Sequence, residues 1–245
     1  MSSDEEKPLR LPFRIRTGAG SNQQSRGIFG VLGHIWHHHQ IPLVSRQHRV
    51  HNTSPRRVGV ELTDDSNYDG YFLEDEDTFL ILVSIYAETP ELDCAHEVGH
   101  LVDRLIGGSR YATYQNLDLL APWCEAVGDT DLVKQLRDAF DQAVELGDFS
   151  TRPDQAELEY LVRPEELFAR SFAQYVTGLE ITKQHRIEAQ EARDLLRKQL
   201  SEKQRASSRE SGFPGYWSDS DFSPVQEAID LLMREIGWHR GARSN

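Results

Sequence analysis

The sequence predicts an α+β fold in which a small antiparallel sheet is followed by a mainly helical portion. Residues 58–87 hold three short runs rich in β-branched and aromatic residues, separated by Asp- and Glu-rich turns. From Thr89 onward the apolar residues recur with the helical period. Pro and Gly stand where helices start and stop.

At 245 residues the chain is long enough to bury a real core, and it reads as one compact domain with appended segments. Residues 1–57 form a basic, partly flexible N-terminal segment and 58–180 the core. Residues 181–210 form a charged helical linker, and 211–245 a loop and helix that pack back on the core. No internal repeat is evident. The first 20 residues lack the apolar stretch of a signal peptide, and no apolar run approaches the ~20 residues of a membrane span. Two cysteines, Cys94 and Cys124, are too few for a disulfide framework and fit a reducing compartment. A cytoplasmic location is expected, without excluding delivery to another cell.

The net charge is −13 and unevenly placed. Residues 1–57 carry nine Lys/Arg against three acids, and the remainder 18 against 37. A basic arm could meet nucleic acid, but Gly, Ser and Gln cluster there as in loops, and no aromatic residues interleave with the charges for base stacking. Nucleic acid is therefore not expected as a partner, nor is a membrane.

Residues 1–26 read as a flexible arm. In 27–45, Ile28, Phe29, Val31, Leu32, Ile35 and Trp36 suit a short helix. His34, His37, His38 and His39 follow each other there, with His48 and His51 beyond. Consecutive imidazoles on a helix diverge, and no nearby acid or cysteine completes a ligand set, so the tract reads as a polar helix end and loop rather than a second metal site. Residues 58–63, Gly70–Leu73 and Thr78–Ala87 are the expected strands, with Glu74–Asp77 a charged hairpin loop. Which strand is the edge, where a substrate could pair, is open.

Thr89 is placed to cap the next helix, with Pro90 at its first position, Glu91 complementing the dipole and Gly107-Gly108 ending it. Val98, Leu101, Val102 and Leu105 give it one buried face. Residues 111–127 and 130–146 are two further helices, the second burying Val133, Leu136, Phe140 and Ala143/Val144. Pro164 opens another, with Phe168, Phe172, Tyr175 and Leu179 on one face. Residues 182–210 read as a solvated helix or linker and 211–223 as an irregular aromatic loop. Ser223-Pro224-Val225-Gln226 supplies a capping box for a last helix burying Val225, Ile229, Leu232 and Ile236.

The chemistry centres on His96-Glu97-Val98-Gly99-His100. Residues four apart on a helix leave the same face, so both imidazoles can share one metal ion, with Glu97 able to reach a metal-bound water as general base. This is the HExxH signature of zinc peptidases. A catalytic zinc site needs a third protein ligand. A metzincin would place His at position 106, which is Ile106, so that class is excluded. A thermolysin-like site would use an ExxxD pattern, which Glu125 to Asp129 matches formally, although Gly128 would hold Glu125 poorly. Glu166 is the better candidate, and Glu165, about 100° away around the same helix, could not face the metal with it.

A resemblance decides among them. His96-Glu97-Val98-Gly99-His100-Leu101-Val102-Asp103, followed by Glu166-Leu167-Phe168-Ala169-Arg170-Ser171-Phe172, resembles the anthrax lethal factor peptidase domain and related zincins of phage and polymorphic-toxin origin, over roughly residues 58–178. The resemblance implies a zincin-like fold, zinc as cofactor, His96, His100 and Glu166 as ligands, and Glu97 as the catalytic base. It also implies a tyrosine for the oxyanion, which Tyr160 matches in approximate position. Arg170 stands where lethal factor has an acid, so the surroundings of the Glu ligand must differ. Asp103 is placed to orient an imidazole, or else is an exposed polar residue of that helix. The expected activity is zinc-dependent endopeptidase chemistry on a polypeptide substrate. The alternative is a non-catalytic zincin-fold module or accessory protein that retains the metal site.

Overall fold

The computed structural model describes residues 14–16, 22–41, 57–75, 78–115, 117–146, 155–180, 187–210 and 212–239. His48 and His51, residues 76–77 of the expected hairpin loop and the 147–153 loop lie outside them. The architecture is α+β and mostly helical.

Among the described residues four strands form one sheet: β1 (Arg14–Arg16), β2 (Arg57–Thr63), β3 (Gly70–Glu74) and β4 (Thr78–Ser84), in the order β1-β2-β4-β3. The sheet is mixed, which corrects the antiparallel expectation. Only β3 and β4 run antiparallel, while β1 and β2, and β2 and β4, are parallel. After β2 the chain turns through Asp64–Asp69 and lays β3 on the far side of the place that β4 then fills, so β4 meets β2 running in the same direction. Alternating hydrophobicity had located the strands but says nothing about their order. β4 stops at Ser84 rather than Ala87, because Ala87 N–H turns back to the Ser84 carbonyl at 3.3 Å.

The helix expected in 27–45 is α1 (Asn22–His38), which starts earlier than expected and inserts Ile28, Val31, Leu32 and Ile35, all fully buried, into the same core as β2 and β4. Of the expected arm, residues 1–13 and 17–21 lie outside the described residues. Helix α2 (Pro90–Gly107) is buried along most of its length, and Gly108, at φ 78°, ends it. Thr89 does not cap it by its side chain; the hydroxyl instead donates to Asp93 Oδ2 at 3.0 Å.

A short 3₁₀ turn (Ala112–Tyr114) leads to α3 (Leu117–Asp129) and α4 (Asp131–Leu146), followed by α5 (Gln155–Val162) and α6 (Pro164–Gly178). Phe168, Phe172, Tyr175 and Leu179 are buried as their spacing predicts, whereas on α4 Ala143 packs on the core and Val144 is exposed. Helix α7 (Ile187–Glu210) is a packed element rather than a solvated linker: Ala192, Leu196 and Leu200 are buried, and it lies against α1, α2 and α6. Helix α8 (Asp219–Glu235) starts at the Ser218 cap, upstream of the expected capping box, so Pro224 falls inside it. The earlier start has a use, since the Asp221 carboxylate accepts from Asp131 N–H at 2.9 Å and Leu132 N–H at 3.2 Å, capping α4 from a distance. No helix among the described residues is long and apolar enough to cross a membrane.

Candidate metal centre

The centre is made where α2 crosses α6. Gly99, between the two histidines, lets the helices touch backbone to backbone: a Cβ there would stand 2.7 Å from Ala169 Cα and 2.9 Å from its carbonyl oxygen. Ala169 lies one turn after Glu166, so this contact aims the Glu166 carboxylate between the imidazoles. His96 Nε2 is 3.3 Å from Glu166 Oε2 and His100 Nε2 is 3.5 Å from Oε1. Among the described residues this is the one group of three such side chains whose donor atoms all fall within 4.8 Å of one another. The group could hold a metal ion.

Glu125 projects from the exposed face of α3, where Trp123 and Val127 are the buried residues. Glu165 accepts the Tyr114 hydroxyl and does not join the group. The register around α6 therefore selects Glu166.

Electrostatics suit a cation. Burial pushes the His96 imidazole down to about 4 against the pull of Glu166, which keeps its lone pair available. Burial also acts on His100, but the carboxylates of Glu166, Glu97 and Asp103 outweigh it and raise the net value. Glu166 is held below the ordinary carboxylate range because the two imidazoles outweigh its burial. His100 Nδ1 and Glu166 Oε2 are buried without a hydrogen-bond partner. For Glu166 Oε2, a cation among the three donors would remove that deficit.

Glu97 points toward the start of β3. A Cβ on Gly70 would lie 3.2 Å from Glu97 Cγ, so glycine makes room for this side chain. Burial pushes the Glu97 carboxyl up to about 8, with His100 opposing and Glu166 and Asp93 adding to the rise. At the other end of β3, Glu74 Oε2 accepts from Arg104 Nε at 2.6 Å. Four strand residues span ~13 Å and the seven helical residues from Glu97 to Arg104 ~10 Å, so β3 runs beside α2. Among the described residues β3 is thus an edge strand, and it lies along the candidate centre.

Tyr160, on α5, has a side chain 44 % exposed, and burial of its hydroxyl together with the nearby Glu166 carboxylate raises its pKa. Asp103 does not orient an imidazole. Its carboxylate is taken by Thr113, accepting from the backbone N–H at 3.0 Å and the hydroxyl at 2.8 Å. That clamp fixes the turn after α2, whose Tyr111 ring lies 5.8 Å from His100.

Arg170 is buried without following the acidic pattern. It donates to three carbonyls, those of Glu166 at 3.3 Å, Gly215 at 3.0 Å, and Leu161, and lies over the Trp217 ring. The guanidinium thus ties α6 to α5 and to the 212–217 loop. Gln174 secures the same loop, donating to the Trp217 carbonyl at 2.9 Å and accepting its N–H at 3.0 Å. The loop that looked irregular is therefore a buried brace behind the Glu166 helix, with Tyr216 and Trp217 in the core. In the sequence Arg170 stands out only by departing from the acidic pattern, and Gly99, Gly70, Gln174 and the 212–217 loop carry no signal of these roles.

No protein-family model and no curated protein matches the chain.

Proposed function

We propose that the protein is a zinc-dependent endopeptidase of zincin-like fold, as its resemblance to lethal factor-type peptidases implies. The observation that carries the reading is the convergence of His96, His100 and Glu166, with Glu97 next to them and against an edge strand. A zinc ion held by these three side chains supplies Lewis acidity and a bound water of lowered pKa.

The chain's own groups do the rest. Glu97 takes the proton from the attacking water and returns it to the leaving amine. The Tyr160 hydroxyl donates to the oxyanion that develops on the scissile carbonyl. An extended peptide pairs with the open edge of β3, which brings its backbone alongside Glu97. A closed structural zinc site would have a fourth protein donor, and among the described residues the group comprises three.

Zinc analysis combined with a proteome-wide cleavage screen, wild type against Glu97→Gln, tests the reading. Both proteins are expected to bind one zinc at this centre, and only the wild type to cleave. Cleavage by Glu97→Gln would overturn the mechanism. Zinc-loaded wild type that cleaves nothing would leave the non-catalytic module as the reading.

A further inference from the structure

Away from HEVGH, the fold gathers a second set of imidazoles. His34 and His38 lie on the last turns of α1, and His39 follows immediately. The end of the described chain returns to them: His39 and His239 form an isolated antiparallel bridge, and Gln40 N–H donates to the Trp238 carbonyl at 2.6 Å. Ring centroids are 5.1 Å apart for His34–His38, 6.3 Å for His38–His39 and 5.6 Å for His39–His239. The paired imidazoles of HEVGH stand 4.9 Å apart.

His39 is the group that asks for an explanation. It is fully buried, and neither ring nitrogen has a hydrogen-bond partner. A neutral imidazole carries one donor and one acceptor, so both are unmet in the interior. Two neighbours have their tautomers set from outside the cluster. His34 Nε2 faces the Val176 carbonyl at 3.1 Å, which only accepts, so the proton sits on Nε2 and the lone pair on Nδ1. His239 Nε2 faces the Asp230 carboxylate at 3.5 Å, which sets the same tautomer. Asp230 is itself held by the Tyr175 hydroxyl at 3.2 Å. Carbonyl or carboxylate behind the far nitrogen is how metal-binding histidines are oriented.

We propose that His34, His38, His39 and His239 form a second metal site, for a borderline divalent ion such as zinc or nickel that favours imidazole nitrogen. His34–His38 and His39–His239 stand edge to face and His38–His39 is tilted by 48°. As they stand, no three of these side chains bring their donors within 4.8 Å of one another, so binding an ion requires His38 and His39 to turn toward His34 and His239, which keep their carbonyl and carboxylate partners. The ion would join the end of α1 and the segment after α8 next to Tyr175 on the Glu166 helix, whose ring is 5.5 Å from His39. The site is independent of peptide cleavage.

The test is zinc stoichiometry on the full chain, metal-stripped and reloaded with zinc chloride alone. Wild type is expected to retain two zinc ions and the His96→Ala/His100→Ala variant one. Adding His39→Gln or His239→Gln is expected to weaken the retained zinc at least 10-fold, and His239 is the milder of the two because it is partly exposed. With copper as probe, the electron paramagnetic resonance spectrum should show several nitrogen couplings that both variants reduce. One zinc per wild-type chain would overturn the proposal. So would a second zinc indifferent to both variants, which would place the ion on other histidines.

Discussion

Gly99→Ala puts the helix crossing to a quantitative test. An alanine normally stabilises a helix interior relative to glycine by about 0.5–1 kcal/mol. Here its Cβ would sit 2.7 Å from Ala169 Cα, where a carbon–carbon contact needs about 3.5–4 Å, so α6 must withdraw by roughly 1 Å. Overpacking of that kind costs about 1–3 kcal/mol, which outweighs the helical gain. The larger effect is at the centre. Metal–ligand distances tolerate about 0.2 Å, and Glu166 moves with Ala169, so zinc affinity should fall by about 10- to 100-fold. Urea unfolding of the metal-free protein measures the first effect and competition with a chromophoric chelator the second. Because the obstructing atoms are backbone, adding Ala169→Gly should not restore either quantity. A Gly99→Ala protein as stable as wild type, with unchanged zinc affinity, would refute the reasoning.

Three further outcomes can be checked. Glu166→Ala should lose the zinc at HEVGH while Glu125→Ala and Glu165→Ala keep it, read by metal analysis in a background that lacks His39. Tyr160→Phe should lower kcat by about 100- to 1,000-fold, as loss of one oxyanion donor does, with zinc content unchanged. In metal-free protein, stability should fall on acidification because burial, with the neighbouring His38, His239 and His34, pushes His39 down to about 3. A folded-state value below the unfolded one means the unfolded chain binds the proton more readily. The stability is therefore full above about pH 6.5 and declines toward pH 3 by up to ~1.4 kcal/mol per pH unit. Thermal unfolding at pH 7.5 and 5.5 measures this, and His39→Leu should reduce the difference.

The helices carrying the centre could be read in advance because their signals are local. Pro90 and Pro164 open α2 and α6, and Phe168, Phe172 and Tyr175 mark the buried face of α6 at helical spacing. The mixed sheet could not be read, since strand order depends on which edges meet, and alternation along β2, β3 and β4 is the same in either arrangement. Helix α7 looked solvated because its apolar residues are sparse, yet Ala192, Leu196 and Leu200 suffice where α1 and α6 already offer a surface. Asp103 looked like an imidazole partner by its proximity along α2, but Thr113, ten residues on, claims both its oxygens.

The HEVGH pentapeptide reflects the same division. That His96 and His100 share a face and Glu97 stands beside them follows from helix geometry alone, needing nothing beyond the five residues. Which carboxylate meets them does not, because Glu125, Glu165 and Glu166 are all compatible with the spacing of the chain. That choice arises at the crossing of α2 and α6, where Gly99 admits Ala169 and Arg170 ties α6 to its neighbours. A contact between segments about 70 residues apart is set by packing, and packing has no local signature beyond the glycine that permits it.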